Sequence, residues 1–195
     1  INYCIIILVN IITHFTMPTI KNKTPIITTK LFKLDKLLID FGDTVSREYE
    51  VISGTGNGAV MIIPILGDDF LFIREYAAAI DDYSLTFPKG KIDDKESILV
   101  AANRELQEEV GFKAEQLKHI YTLDLAPGYM NHKTHIVLAQ NLVASKLDGD
   151  EPEDLEIVKY SKNDMDRVLL ESNNIDSRAL ASLFIYGQMR NKHEA

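Results

Sequence analysis

The chain is short of cysteine, of positive charge and of uninterrupted apolar sequence. Its single cysteine, Cys4, excludes an internal disulfide. A chain that does without disulfides suits a reducing cytoplasm, and that is the expected location. Lys and Arg number 21 against 29 Asp and Glu, a formal net charge of -8. No basic run resembles a nucleic-acid footprint, and the acidic balance opposes loose binding to nucleic acid or an anionic membrane. No fixed-period repeat or low-complexity tract is present. The nearest approach to a membrane segment is INYCIIILVNIITHFT, residues 1–16, which Asn10, Thr13 and His14 interrupt. It lacks the basic start and small-residue cleavage site of a secretory signal, and it is too short and polar for a transmembrane helix. The expectation is an upstream non-native or disordered segment, with the natural start at Met17; a membrane anchor is the rival reading.

Apolar sequence is plentiful but broken into short pieces. At 195 residues and 46% hydrophobic, the chain can bury the core of one domain. KLFKLDKLLIDF (30–41) and SREYEVIS (46–53) alternate around the turn GDT and predict an antiparallel pair. GTGNG (54–58) has the glycines of a dinucleotide loop, but a strand-like run follows where that motif needs a helix, so it reads as a flexible loop. AVMIIPIL (59–66) and FLFIREYA (70–77) predict a hairpin around GDD. LTFPKGKIDD (85–94) reads as a loop, and residues 96–110 carry a helical period. Further strands are expected at 119–127, 132–143 and 155–161, and helices at 163–172 and 177–190. Strands mixed with few helices, without βαβ alternation, indicate an α+β (mixed) fold or a mixed-sheet sandwich. The expected division is 17–55 for N-terminal strands and 56–195 for the main domain.

The helix at 96–110 is the anomaly. At about 100° per residue, Leu99, Ala102, Leu106 and Val110 form one core-facing stripe. Glu105, Glu108 and Glu109 crowd another sector, expected to be exposed. Arg104 sits four residues before Glu108, at salt-bridge spacing, and Gly111 is a natural stop. Carboxylates about 5 Å apart repel by about 3 kcal/mol at an effective dielectric of about 20. Either the face is simply solvated, or it holds a hard divalent cation. Oxygen donors without His or Cys suit magnesium or manganese. His132 and His135, three apart on a strand, point to opposite faces and do not make a zinc site.

Spacing decides between these. Gly90, Glu96, Arg104-Glu105-Leu106, Glu108-Glu109 and Gly111 occupy every fixed position of the Nudix hydrolase signature; Phe112, where an aliphatic residue is usual, is the one unusual neighbour. The chain therefore resembles the Nudix family. GAVMIIPIL, FIREYA, LAPGYM, IVLAQ and LDGDEPEDL extend the likeness, over about residues 24–190, to the branch of ADP compounds hydrolases and ADP-ribose pyrophosphatases.

The resemblance implies an α/β/α sandwich around a mixed central sheet, with the N-terminal antiparallel strand pair ahead of it. It implies a Mg²⁺- or Mn²⁺-dependent pyrophosphatase that cleaves ADP-ribose, NADH or diadenosine polyphosphates to AMP and a phosphorylated remainder. The alternatives are another nucleotide sugar or damaged nucleotide as substrate, or a non-catalytic metabolite sensor. Glu105, Glu108 and Glu109 would hold the metal, with the Lys89 carbonyl. Arg104 would orient a glutamate, Glu96 would brace the loop, and Gly90 and Gly111 would let the chain turn. In DGDEPEDL, Glu151 is the expected base and Glu153 a further metal ligand or alternative base; Glu108 or Glu109 could serve instead. Arg74 would contact substrate phosphate. Pro127 and Tyr129 resemble marker positions of the ADP-ribose and dinucleoside polyphosphate branches, while Ser84 stands where the relatives carry a glutamate. Relatives of this kind dimerise through N-terminal strands, so residues 24–53 are expected to form a homodimer.

Overall fold

Three antiparallel strands lead in the computed structural model, which describes residues 17–193 apart from Thr55. Residues 1–16, on which the expected upstream segment and the rival anchor fall, lie outside the described residues. β1 (Thr19–Thr28), β2 (Phe32–Asp40) and β3 (Ser46–Gly54) form a meander, where the sequence suggested only the last two. β1 escapes a pattern reading because it is an edge: every residue is exposed, Pro25 lies within it, and its register shifts twice. An edge strand tolerates both proline and bulges because one side of its backbone has no partner.

β4 (Ala59–Leu66) and β5 (Asp69–Ala77) form the expected hairpin, turning at Gly67 with φ 63°. Alternation sorts β4 cleanly. Val60 and Ile62 join one core, and Met61, Ile63 and Ile65 join the other. Residues 85–94 are not all loop. They hold the end of β6 (Asp82–Thr86), which pairs with β5, and β7 (Lys89–Lys91), which pairs with β4. Pro88 separates these two short strands, so neither shows a readable period.

β8 (Phe112–Ala126) and β9 (Met130–Ala144) make a hairpin longer than expected at both strands. β9 runs parallel to β4 and, at Ile52↔Met130, to β3. β10 (Glu156–Ser161) closes the other side against β5. The strand order β1-β2-β3-β9-β4-β5-β10 is thus a mixed sheet. Helix α1 (Ile98–Val110) covers one face through Ala101, Ala102, Leu106 and Val110, packed with Val60, Leu71, Ile73 and Val137. α2 (Asp166–Glu171) and α3 (Ser177–His193) cover the other through Val168, Ala179, Leu183 and Tyr186. There Phe72 stacks on Phe87 with ring centroids 4.1 Å apart. The result is an α/β/α sandwich, its two cores set by the two-residue period of the central strands. Among the described residues, no helix is long and apolar enough to cross a membrane.

Candidate active site

α1 begins at Ile98, two residues later than its sequence period suggested. Ser97 is the N-cap, its hydroxyl accepting the Val100 N–H at 3.4 Å. Gly111 ends the helix with φ 78°, and its N–H returns to the Gln107 carbonyl. Ala102, Leu106 and Val110 are buried as expected, but Leu99 is 39% exposed. The buried arc is rotated to take in Ala101 and Glu109 instead. Glu109 is only 5% exposed, so the expectation of three carboxylates on an open face is corrected. The acidic sector begins at the rim of the core.

Arg104 organises that sector. Its Nε and Nη2 donate to both oxygens of Glu96 at 3.0 Å, and Nη1 donates to Glu105 at 2.7 Å and Glu108 at 2.8 Å. Nη2 also reaches the Lys91 carbonyl at 2.9 Å. Glu96 in turn accepts the Asp93 N–H at 3.2 Å, which braces the segment ahead of the helix. The Arg104 hydrogen bond holds the Glu96 carboxyl below the usual range. Unlike Gly111, Gly90 is not in a positive-φ turn. It lies within β7 against the Glu105 carboxylate, and a Cβ there would collide with it.

Glu109 faces the sheet. Its carboxylate accepts the Lys89 N–H at 2.9 Å. Burial raises its pKa to about 8, against the opposing pull of Lys89, and the neighbouring charges of Glu105 and Glu75 add to the rise. Burial likewise raises the Glu105 pKa, with Arg104 opposing. Glu75 is the participant that motif reasoning missed. It forms an ion pair with the Lys89 ammonium, and its charge is felt at both Glu109 and Glu151. Strand alternation offered the signal, because Glu75 follows Leu71 and Ile73 on the α1 face of β5. Ser84 is its cross-strand partner. A glutamate at that position would set a like charge directly opposite Glu75.

The acidic segment 147–154 lies beside α1. Glu108, Glu109, Asp148, Glu151 and Glu153 together line a cleft of about 500 Å³. Burial, followed by the charge of Glu75, raises the Glu151 pKa. Glu153 accepts a hydrogen bond from the Tyr83 hydroxyl at 3.0 Å. Arg74 is not gathered with this group. Its parity on β5 is that of Phe70 and Phe72, on the α3 side, and its guanidinium pairs with Glu156 at 3.0 Å. His135 meets Thr122 at 3.0 Å, while His132 lines a different cleft. Pro127 and Tyr129 lie in the β8–β9 turn, where the Tyr129 carbonyl accepts the Ile52 N–H.

Residues 57–182 match the NUDIX domain family. The chain belongs to the Nudix family. The ADP compounds hydrolase NudE of Escherichia coli is 41% identical over 168 residues, covering 86% of this chain and 90% of that protein. The ADP-ribose pyrophosphatase of Bacillus subtilis is 26% identical over 148 residues, covering 75% of this chain and 79% of that protein. A crystal structure of an ADP compounds hydrolase superposes with a TM-score of 0.82 at 38% identity, covering 92% of this chain and 97% of that one.

Nudix enzymes generally use a divalent metal, and the donors here fit one in kind. They are carboxylate oxygens, the hard donors that magnesium and manganese take. Among the described residues, no three His, Cys, Asp or Glu side chains are already gathered as a metal cage. Arg104 takes one oxygen of Glu105 and one of Glu108, and the second oxygen of each carboxylate makes no bond to it. Next to this Nudix site lies a second cleft of about 700 Å³, lined by Lys89, Gly90, Lys91, His132, Lys133 and Arg178 among others. β7 borders both regions. One side is acidic and suits cations; on the other, Lys89, Lys133 and Arg178 are ion-paired to Glu75, Asp124 and Asp176, and Lys91 is the remaining lysine of the cleft.

Proposed function

We propose that this Nudix hydrolase cleaves the pyrophosphate bond of ADP compounds such as ADP-ribose, NADH or diadenosine polyphosphates, releasing AMP and a phosphorylated remainder. The observation that carries this is the 41% identity to an ADP compounds hydrolase across most of both chains. The signature glutamates, brought together on α1, support it.

In this reading Glu105, Glu108 and Glu109, with the Lys89 carbonyl, hold Mg²⁺ or Mn²⁺. The bound ion supplies charge neutralisation at the diphosphate and acidifies an attacking water. Arg104 keeps Glu105 and Glu108 aligned when the ion is absent. Glu151 takes the proton of the water, and its raised pKa favours it as a base closer to neutral pH. The cleft beside β7, which Lys91 and His132 also line, receives the rest of the substrate. Arg74, ion-paired to Glu156, has no part in this scheme. The single cysteine supports a cytoplasmic setting. The exposed apolar residues of β1–β3, among them Ile20, Ile27, Phe32 and Tyr49, support a homodimer.

The test is product analysis with ADP-ribose, NADH, diadenosine triphosphate and ADP-glucose, each with and without Mg²⁺. AMP formed only with metal, with kcat/KM highest on an ADP compound, is the expected result. Tight binding without turnover on all four would overturn the enzyme reading in favour of a sensor.

A further inference from the structure

Glu151 sits on a segment tied firmly at its ends and barely between them. At the start, the Leu147 N–H bonds the Gln107 carbonyl at 3.3 Å, and the Lys146 ammonium bonds the Glu108 carbonyl. At the finish, Leu155 packs into the α1-side core and β10 begins. From Asp148 to Asp154, among the described residues, no backbone hydrogen bond fixes the chain. The one side-chain hydrogen bond there joins the Tyr83 hydroxyl to Glu153 Oε2, at 3.0 Å.

Tyr83 is well placed to act as a post. It stands on β6 opposite Tyr76, and the two rings meet edge to face with centroids 5.9 Å apart. Tyr76 is anchored in turn, its hydroxyl donating to Asp81 at 2.6 Å. The segment needs such a hold. Asp148, Asp150, Glu151, Glu153 and Asp154 crowd it, and it lines a cleft with Glu108 and Glu109. Like charges favour its moving away. A neutral hydroxyl donor restrains it without adding charge at the cation-binding carboxylates.

The link from Glu153 to Glu151 is short and stiff. Only Pro152 separates them, which fixes its own φ and confines Glu151, the residue before it, to extended backbone. We propose that Tyr83 is a positioning residue: by holding Glu153 it sets where the Glu151 carboxylate stands. This rests on the reading of Glu151 as the base. It gives Glu153 the work of a tether in place of a metal ligand.

The test is a cycle of Tyr83→Phe, Glu153→Ala and the double variant, assayed with ADP-ribose and Mg²⁺, with Glu151→Gln alongside. Tyr83→Phe keeps the ring against Tyr76 and removes only the donor. Each single variant is expected to lower kcat about tenfold, because misplacing a reacting group slows chemistry more than binding. KM and Tm stay near wild type, and the double variant is no slower than either single one. Wild-type kcat in Tyr83→Phe, or multiplying effects in the double variant, overturns the inference. A slow Glu151→Gln with a normal Tyr83→Phe overturns this inference alone. Normal turnover in Glu151→Gln overturns the base assignment and the inference with it.

Discussion

Glu109 shows how one residue can serve two opposed demands. The fold buries it, at 5% exposure, and gives it one backbone donor from Lys89. Burial of an ionised carboxyl is unfavourable, which is why its pKa rises to about 8. The proposed function needs that same carboxylate as an anion beside a cation. Glu109→Gln separates the two demands. The amide oxygen can still accept the Lys89 N–H, while the charge and its desolvation cost are gone. Metal-free Tm should stay at or above wild type, and kcat with Mg²⁺ should fall by about a hundredfold or more. A sharp drop in metal-free Tm would instead make Glu109 a structural residue. The spacing of the signature makes its residues legible, but it cannot show burial. Counting 100° per residue set Glu109 beyond the Leu106 stripe, and only packing against β7 shows that the buried arc extends to it. Glu75 was hidden for a related reason. It belongs to a strand, outside any fixed motif, and it matters because the fold brings it to Lys89.

Elements were legible where they carry a period and obscure where they do not. α1 and the β4–β5 hairpin stand out because one face or one alternation is continuous. β7 is three residues long and follows Pro88, yet it supplies Lys89 and the close approach at Gly90. The start of α3 is a further element-level feature. The Asp176 carboxylate accepts the Arg178 N–H at 2.7 Å, as an N-cap does, and also holds the Arg178 guanidinium at 2.6 Å. Burial works to raise the Asp176 pKa, but the Arg178 hydrogen bonds and charge outweigh it, and the net shift is downward. The folded pKa therefore lies below the unfolded value of about 3.9. Its stabilisation is complete above that value and is lost as pH falls through the folded pKa. Asp176→Asn keeps a capping oxygen and removes the charge. It should cost about 1–2 kcal/mol at pH 7, a lower Tm by thermal melt. The difference from wild type should begin to shrink below about pH 3.9 and close once the pH has fallen below the folded pKa. A gap that persisted there would assign the effect to capping geometry rather than to the ion pair.

At the scale of the whole molecule, β1–β3 is the part the sandwich does not explain. Among the described residues, the strand pairs that join the leaf to the main sheet are Ile52↔Met130 and Ser53↔Asn131. Every residue of β1 is exposed, and Ile20, Ile27 and Phe32 are at least 48% exposed. A small leaf with wet apolar faces is marginal alone, and a solvated patch of this kind marks an interface. A second copy of the chain is the occupant that the family resemblance supports; alternation along β2 and β3 indicated strands but not what would cover them. The strand register narrows the choice of face. Ile20 pairs with Ile39 and Ile27 with Leu34, and those partners lie five apart on β2, hence on opposite faces. Light scattering should therefore find two chains for the wild type, and Tm should rise with protein concentration. Of Ile20→Glu and Ile27→Glu, the one on the interface face should give a monomer whose Tm no longer depends on concentration, while the other stays paired. A monomeric wild type, or two variants that both remain dimers, would place any contact elsewhere and leave the leaf without a partner of its own kind.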